Sequence, residues 1–462
     1  MSPARIPLDG FKDCDVRGVI GESITPELAY RLGLAMAEEA PDGQVLVGGD
    51  FRLSTPELKG ALVDGLMASG CEVVDVGQLS TPGYYFARRH LDIRAGVMVT
   101  ASHNPPNHNG FKPIFGDLPI SPDELDRLKE RLVEGGFAPG EGVLRRVDIR
   151  EEYVDWLANR FKGLAEKAPK LIFDCGGGAT GWALPLVLKR LGLTADVLGE
   201  RPDGAFSSRS PDISKPGDLA ELEREVTARK ADLGAAFDGD GDRVGFVDAK
   251  GKRVTSDRLV AWLAGELLKR EGASPVVFDL KLSRAVEEAI QKYGGQPVPE
   301  RSGHTFIKTT MLQKGALFGG EYSGHLFYRE LDGGDDGLFS ALLVASLVAE
   351  AGLPFDQLLA EVPEYSTTPE FRLKYSGDKA ALMALARSQA ESIGARVELL
   401  DGVKAYFPEG WALIRASVTE PALTLRFEAT DRASLDELAS RFLGGLGALG
   451  EKALEKIRAF EE

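Results

Sequence analysis

One pattern returns three times along the chain and restricts its fold more than any other feature. Short apolar runs, 45–50, 171–174 and 276–279, end in Asp50, Asp174 and Asp279. A polar turn and an amphipathic stretch follow each, near residues 56–69, 181–191 and 283–293. A second short run comes next, at 72–76, 195–198 or 296–298. Another helical stretch then leads to a third run that opens into a glycine-rich loop. Strands alternating with helices predict βαβ units and a largely parallel sheet. The aspartates stand roughly 100 to 125 residues apart, longer than solenoid periods, so the copies read as related domains.

A chain of 462 residues is too long for one core, and roughly 150 residues per domain suggests three or four. Breaks fall in the glycine- and proline-bearing stretch 135–140, the turn 248–251, and near 362–364. They divide the chain into 1–148, 149–251, 252–363 and 364–462. The last segment abandons the repeat. A run at 371–373, a helix near 377–394, strands at 396–400, 411–415 and 423–428, and a helix near 433–443 predict an α+β domain of about 100 residues. The expected fold class is therefore α/β: three related domains with mixed or parallel sheets, plus a smaller C-terminal α+β domain.

In such sheets ligands bind at the C-terminal strand ends, so the three loops there converge if the domains face one another. The first is Thr100-Ala101-Ser102-His103-Asn104-Pro105, followed by Asn109-Gly110-Phe111-Lys112. Asn-Pro blocks helix continuation and keeps Ser102 at a strand end. A hydroxyl there, beside the His103 imidazole and with the Lys112 ammonium ten residues on, suits a nucleophile or phosphoryl acceptor; a turn-capping serine is the plainer alternative. The second loop is Asp238-Gly239-Asp240-Gly241-Asp242-Arg243. Three carboxylates so close repel unless they share a cation, and oxygen ligands at that density suit Mg²⁺ or Ca²⁺. An EF-hand is excluded, since Arg243 falls where its glycine belongs and Ala249 where its bidentate glutamate belongs.

The third loop, Gly320-Glu321-Tyr322-Ser323-Gly324-His325, offers an acceptor, a hydroxyl and an imidazole, groups suited to sugar hydroxyls. In the last segment, Arg415-Ala416-Ser417-Val418-Thr419 offers a guanidinium and two hydroxyls suited to phosphate, though such a loop is also an ordinary β-turn. Cys175-Gly176-Gly177-Gly178-Ala179-Thr180-Gly181 contains a G-x-G-x-x-G, with Glu200 about twenty residues on, the paper form of a dinucleotide site. The copies after Asp50 and Asp279 keep strand, turn and helix without these glycines, so the repeat itself does not require a cofactor there.

A formal charge of −16 argues against nucleic acid and anionic membrane as partners, and leaves room for a small anion met by local cations. Residues 1–13 lack an apolar signal core. The longest apolar stretch, 338–353, carries Glu350 and two serines and reads as a buried helix, not a membrane span. Cys14, Cys71 and Cys175 show no metal or redox spacing, which fits a reducing cytoplasm.

Taken in order, T-A-S-H-N-P, D-G-D-G-D-R, G-E-Y-S-G-H and R-A-S-V-T-E-P, one per domain, resemble the α-D-phosphohexomutase family, specifically its bacterial phosphomannomutase/phosphoglucomutase group. The resemblance spans nearly the whole chain. It implies four domains around a central cleft and an isomerase that interconverts hexose 1-phosphate and hexose 6-phosphate, of mannose, glucose or both. It further implies a phosphoserine, Mg²⁺, and glucose 1,6-bisphosphate as activator and intermediate. By position, Ser102 is the phosphoserine, and Asp238, Asp240 and Asp242 hold the metal with a phosphoserine oxygen. Arg17 and Lys112 match basic residues near it, Lys112 as a general-base candidate. Arg243, Lys281 and His304 match substrate contacts. Glu321, Ser323 and His325 match the sugar loop, with His325 also able to move protons. Residues Arg415 to Thr419 match the loop for the phosphate that is not transferred. Two departures stand out: Cys14 where a tyrosine is usual, and Val418 where an asparagine is usual. A monomer acting on small hexose phosphates, with neither nucleic acid nor membrane as partner, is the expectation. The competing readings are a phosphoglucosamine mutase, a metal-dependent sugar-phosphate phosphatase and, from the glycine motif, an oxidoreductase.

Overall fold

The computed structural model describes residues 7–215, 217–416 and 421–459. Two compact units emerge, Met1–Ser256 with Lys308–Ala360, and Asp257–Ile307 with Glu361–Glu462. The third repeat is divided between them.

The first unit holds the first two repeats whole. In the first, the parallel strands Gln44–Gly49, Glu72–Gln78, Ala95–Val99 and Val143–Arg146 are extended by two antiparallel ones, His108–Ile114 and Val16–Val19. In the second, Leu171–Asp174 lies parallel to Ala195–Leu198 and Leu233–Phe237, and Val244–Asp248 returns antiparallel. The third repeat contributes the antiparallel strands Phe318–Gly320, Leu326–Tyr328 and Gly334–Asp335. The sheets are mixed, as the expected fold class allows, because every repeat ends in an antiparallel return. The reason is loop length. A parallel connection needs a crossover of about a dozen residues or more, whereas each glycine loop is short and admits only an antiparallel neighbour.

Ala95–Val99 is buried at every position, as an internal strand covered on both faces must be. Helix Thr81–His90 packs over the sheet and starts at Ser80, whose hydroxyl accepts from Gly83 N. The 338–353 run is the buried helix Gly337–Ala351, N-capped by Asp336. Among the described residues no helix is long and apolar enough to cross a membrane. A cluster of rings ties the repeats of this unit together: Phe86 against Tyr153 at 5.4 Å, Tyr153 against Trp182 at 5.6 Å, and Trp156 against Phe339 at 5.9 Å.

In the second unit, Pro275–Asp279 and Gln296–Glu300 pair in parallel. The C-terminal sheet is antiparallel, ordered Ser366–Thr367, Ala422–Ala429, Gly410–Ala416, Val403–Tyr406, Arg396–Glu398, with Phe371–Lys374 also on Ala422–Ala429. Helices Lys379–Ser392, Arg432–Leu443 and Ala448–Arg458 complete it. Buried Arg426 links the two parts of the unit through Asp257 Oδ2 at 2.7 Å, and the Arg284 amide donates to Glu428 Oε1 at 3.0 Å.

Candidate active site

Ser102 lies just past the buried strand Ala95–Val99 and is itself 1% exposed. Its φ of 50° is left-handed, a conformation that costs a residue with a Cβ about 1–2 kcal/mol. The backbone amide of Ser102 donates to Thr100 Oγ1 at 2.9 Å, and Thr100 Oγ1 donates to Asp50 Oδ2 at 2.8 Å. The conformation aims the serine side chain at the acidic loop, where Oγ donates to Asp238 Oδ2 at 2.7 Å. His103 Nδ1 stands 3.4 Å from the same Oγ. Burial, then the nearby Arg243 and Arg17 charges, push the His103 imidazole well below its ordinary value, so it is neutral.

The three aspartates of the second loop are all buried, and one oxygen from each lies within 4.8 Å of the others. The loop nests against two helix starts. Thr81 N donates to the Asp240 carbonyl at 2.9 Å, and Gly337 N donates to the Gly241 carbonyl at 3.1 Å. Both helix dipoles thus present their positive ends to an acidic turn. Gly239 could be no other residue, since a Cβ there would sit 2.5 Å from the Ser102 carbonyl oxygen. Lys112, on strand His108–Ile114, donates to Asp242 Oδ2 at 2.6 Å and Asp240 Oδ2 at 3.2 Å.

The charges do not balance evenly. Burial, then repulsion from Asp242 and Asp240, raises the Asp238 carboxyl well above its usual range. Burial also acts on Asp242, but the Lys112 and Arg243 charges beside it outweigh that and hold the group down. Desolvation disfavours the Lys112 ammonium, yet the two aspartates beside it raise its pKa well above normal. Asp240 Oδ1 and Asp242 Oδ1 remain buried without hydrogen-bond partners among the described residues. Hard oxygen donors, two of them unpartnered and one carboxyl pushed toward its neutral form, fit a divalent cation. Asp238, Asp240, Asp242 and Ser102 Oγ are the oxygens that could hold it.

The third loop joins the other two. Val244 N donates to the Gly324 carbonyl at 3.2 Å, and Arg243 Nε donates to His325 Nε2 at 2.9 Å. His325 Nδ1 lies 2.5 Å from Asp335 Oδ2. With Nε2 accepting, the proton belongs on Nδ1, and Asp335 fixes that tautomer. Glu321 Oε2 and Ser323 Oγ are buried without partners among the described residues, a state that suits incoming hydroxyls. Arg17 pairs with Asp15 Oδ2 at 2.6 Å and reaches the Ala101 carbonyl at 3.5 Å, which puts it beside the serine loop. Cys14 is half-buried in the bend before Asp15.

The glycine motif is filled by protein. Gly177 N donates to Gly199 O at 2.9 Å, Gly178 N to Cys175 O at 2.6 Å and Ala179 N to Gly239 O at 2.9 Å. The amides that would cradle a pyrophosphate are committed, and the last of them braces the acidic loop.

In the second unit, Lys281 Nζ meets Glu370 Oε2 at 2.8 Å and Arg415 Nε meets Asp401 Oδ2 at 3.0 Å. His304 opens the helix His304–Lys314. Ser417, Val418 and Thr419 lie outside the described residues.

Sequence reasoning did not single out Arg52, Thr81, Thr100 or Asp335. Asp50-Phe51-Arg52 carried a signal, since two charges at the end of a buried strand demand partners. Thr81 and Asp335 carried none, because their partners are remote in sequence.

Comparison with known proteins gives a consistent result. Four domain models match in order: Phosphoglucomutase/phosphomannomutase alpha/beta/alpha domain I over residues 9–138, domain II over 151–251, domain III over 255–365, and the C-terminal domain over 370–444. The phosphomannomutase/phosphoglucomutase of Pseudomonas aeruginosa is 37% identical over 449 residues, covering 96% of either chain. The phosphoglucomutase of Neisseria gonorrhoeae is 35% identical, covering 95% of this chain and 97% of its own. A solved phosphoglucomutase/phosphomannomutase family protein from Burkholderia thailandensis matches with a TM-score of 0.90 at 35% identity, covering 96% of this chain and 98% of that one.

Proposed function

The chain belongs to the phosphoglucomutase/phosphomannomutase family, and from that premise we propose that Ser102 carries the phosphoryl group that the enzyme moves. It is a mutase, an isomerase that interconverts hexose 1-phosphate and hexose 6-phosphate. The observation that carries the assignment is the buried Ser102 Oγ, held in a left-handed conformation 2.7 Å from Asp238.

Phosphoserine Ser102 gives its phosphoryl group to a sugar hydroxyl: the P–Oγ bond breaks, a P–O bond to the sugar forms, and the hydroxyl proton passes to a base. The hexose 1,6-bisphosphate reverses its orientation, and its other phosphate returns to Ser102. Glucose 1,6-bisphosphate therefore serves as intermediate and as the activator that loads the serine. Asp238, Asp240, Asp242 and Ser102 would hold Mg²⁺, which when bound would offer positive charge to phosphoryl oxygens.

Asp238 and the neutral His103 stand where the serine proton can be taken. Lys112, proposed as general base, must first leave the two carboxylates that hold its proton. Arg17 and Arg243 offer charge to phosphate oxygens. Glu321, Ser323 and His325 orient the sugar, with Asp335 holding His325 in place. Lys281, His304, Arg415, Ser417 and Thr419 bind substrate, Arg415 and the hydroxyls taking the phosphate that is not transferred. Cys14 and Val418 are proposed as substrate-binding by their positions in the motifs, although neither side chain is a strong donor. The domains are proposed as 1–148, 149–251, 252–363 and 364–462, and the reaction as cytoplasmic and carried out by a monomer.

A coupled assay on mannose, glucose and glucosamine 1-phosphates, primed with glucose 1,6-bisphosphate, tests this reading. Hexose 6-phosphate is the expected product, and intact-mass spectra should place phosphate on Ser102. Release of inorganic phosphate in its place would mark a phosphatase. A fully active Ser102→Ala enzyme would sink the nucleophile assignment.

A further inference from the structure

Arg52 has no part in the chemistry above, yet its side chain is 0% exposed. It stands two residues past Asp50, at the end of strand Gln44–Gly49. Its guanidinium serves a single loop. Nη2 donates to the carbonyls of Ser102 at 2.7 Å and Asn104 at 2.6 Å, and Nη1 to those of Pro105 at 2.8 Å and His108 at 3.1 Å. Nε lies 3.2 Å from Asp50 Oδ2. Phe206, from the second repeat, covers the guanidinium face at 5.0 Å.

This distribution is informative. Pro105 and Pro106 have no amide hydrogens, so the loop has few backbone donors of its own; His108 N reaches the Pro105 carbonyl and Asn104 N that of Ala101, both at 3.0 Å. One planar fork adds donors for the carbonyls of Ser102, Asn104 and His108 and a second one for Pro105. Ser102 is also held from both sides by the same pair: its amide reaches Asp50 through Thr100, and its carbonyl is bound by Arg52. A left-handed serine persists only where its surroundings over-determine it.

We propose that Arg52 is a positioning residue that locks Ser102 in its left-handed conformation and so aims Oγ at Asp238. The assignment rests on Ser102 being the nucleophile. Arg52 touches neither substrate nor the reacting atoms; it acts through the loop. Lysine keeps the charge but not the planar fork, and its tetrahedral ammonium cannot reach four carbonyls spread along one loop.

Arg52→Lys and Arg52→Ala enzymes test this, read by steady-state kinetics and by the rate at which glucose 1,6-bisphosphate phosphorylates Ser102. A misaimed nucleophile should lower kcat and the phosphorylation rate by about 100-fold. KM for hexose 1-phosphate should stay within about threefold, because no substrate contact is removed. Methylguanidinium should restore part of the Arg52→Ala rate, while methylammonium should not. A folded variant with wild-type kcat overturns the proposal. So does failure of both variants to fold, or loss without methylguanidinium rescue, since each makes Arg52 a purely structural support. If Ser102→Ala is dead while the Arg52 variants run at full rate, only this inference falls. A fully active Ser102→Ala enzyme removes the nucleophile reading and this one with it.

Discussion

Asp240 shows how much one residue can be asked to do. Its Oδ2 accepts from Thr81 Oγ1 at 2.7 Å and from Lys112, while Oδ1 is buried and unpartnered among the described residues. Leaving a buried carboxylate oxygen without a partner costs about 1–3 kcal/mol, more when it is charged, and a divalent cation removes that cost. Millimolar Mg²⁺ is therefore expected to raise the Tm of the folded chain. The stabilisation should reach about 2.7 kcal/mol at a concentration 100 times Kd. Asp240→Ala should abolish the shift, as followed by calorimetry with and without EDTA. An undiminished shift in that variant would place the cation elsewhere.

At the scale of single elements, helix Gly337–Ala351 depends on Asp336. Asp336 Oδ1 accepts from Phe339 N at 2.9 Å, and Oδ2 accepts from the Tyr153 hydroxyl at 2.8 Å. Burial nonetheless raises this carboxyl from 3.8 to about 6. Below the unfolded value both states carry the proton, and the contribution is fully present. As the pH rises through about 6 the unfolded carboxyl ionises freely while the folded one resists, so the contribution is lost. The difference is on the order of 3 kcal/mol. Asp336→Asn keeps the cap and a polar partner for Tyr153. It should flatten the fall in stability between pH 4 and pH 6, within about a pH unit of each limit, as measured by denaturant unfolding. Equal slopes in both proteins would refute the assignment. Elements also differed in how easily they could be read. Val403–Tyr406 was missed: it is too short, at four residues, to declare a period of its own, and nothing in the sequence shows that Lys404 is buried between Val403 and Ala405. Helix Ala448–Arg458 was missed as well, although its apolar face joins the C-terminal core through Ala453 and Ile457.

Over the whole molecule, the first unit gathers Arg17, Ser102, Lys112, Asp238, Arg243 and His325 from three repeats. The second contains the pair Arg415–Asp401. A mutase has to hold the phosphate it is not transferring, and Arg415 is the cation proposed for that work. A charge-assisted hydrogen bond contributes about 1.5–3 kcal/mol, so Arg415→Ala should lower kcat/KM by about 10- to 100-fold. Remote binding of this kind helps orient the reacting end as well, so kcat should fall together with affinity. Steady-state kinetics on one sugar phosphate decides the matter, and an unchanged kcat/KM would exclude the C-terminal segment from substrate binding.

By itself the sequence determined the threefold strand–helix pattern, the changed fourth segment, and the loops bearing Ser102, the three aspartates and the Glu321–His325 group. These are local: periodicity reports burial within a few residues, and glycine-spaced carboxylates declare their need for a cation wherever they lie. Only tertiary structure decided that each repeat closes with an antiparallel return and that the glycine motif braces the acidic loop. It also recruited Arg52 to the serine loop, 50 positions away, and Thr81 to Asp240, 159 positions away. Arginine and threonine are ordinary loop residues, and nothing in their immediate neighbours names a partner. Their roles arise from burial, which strips water from a polar group and makes the carbonyls or carboxylates within reach its obligatory partners.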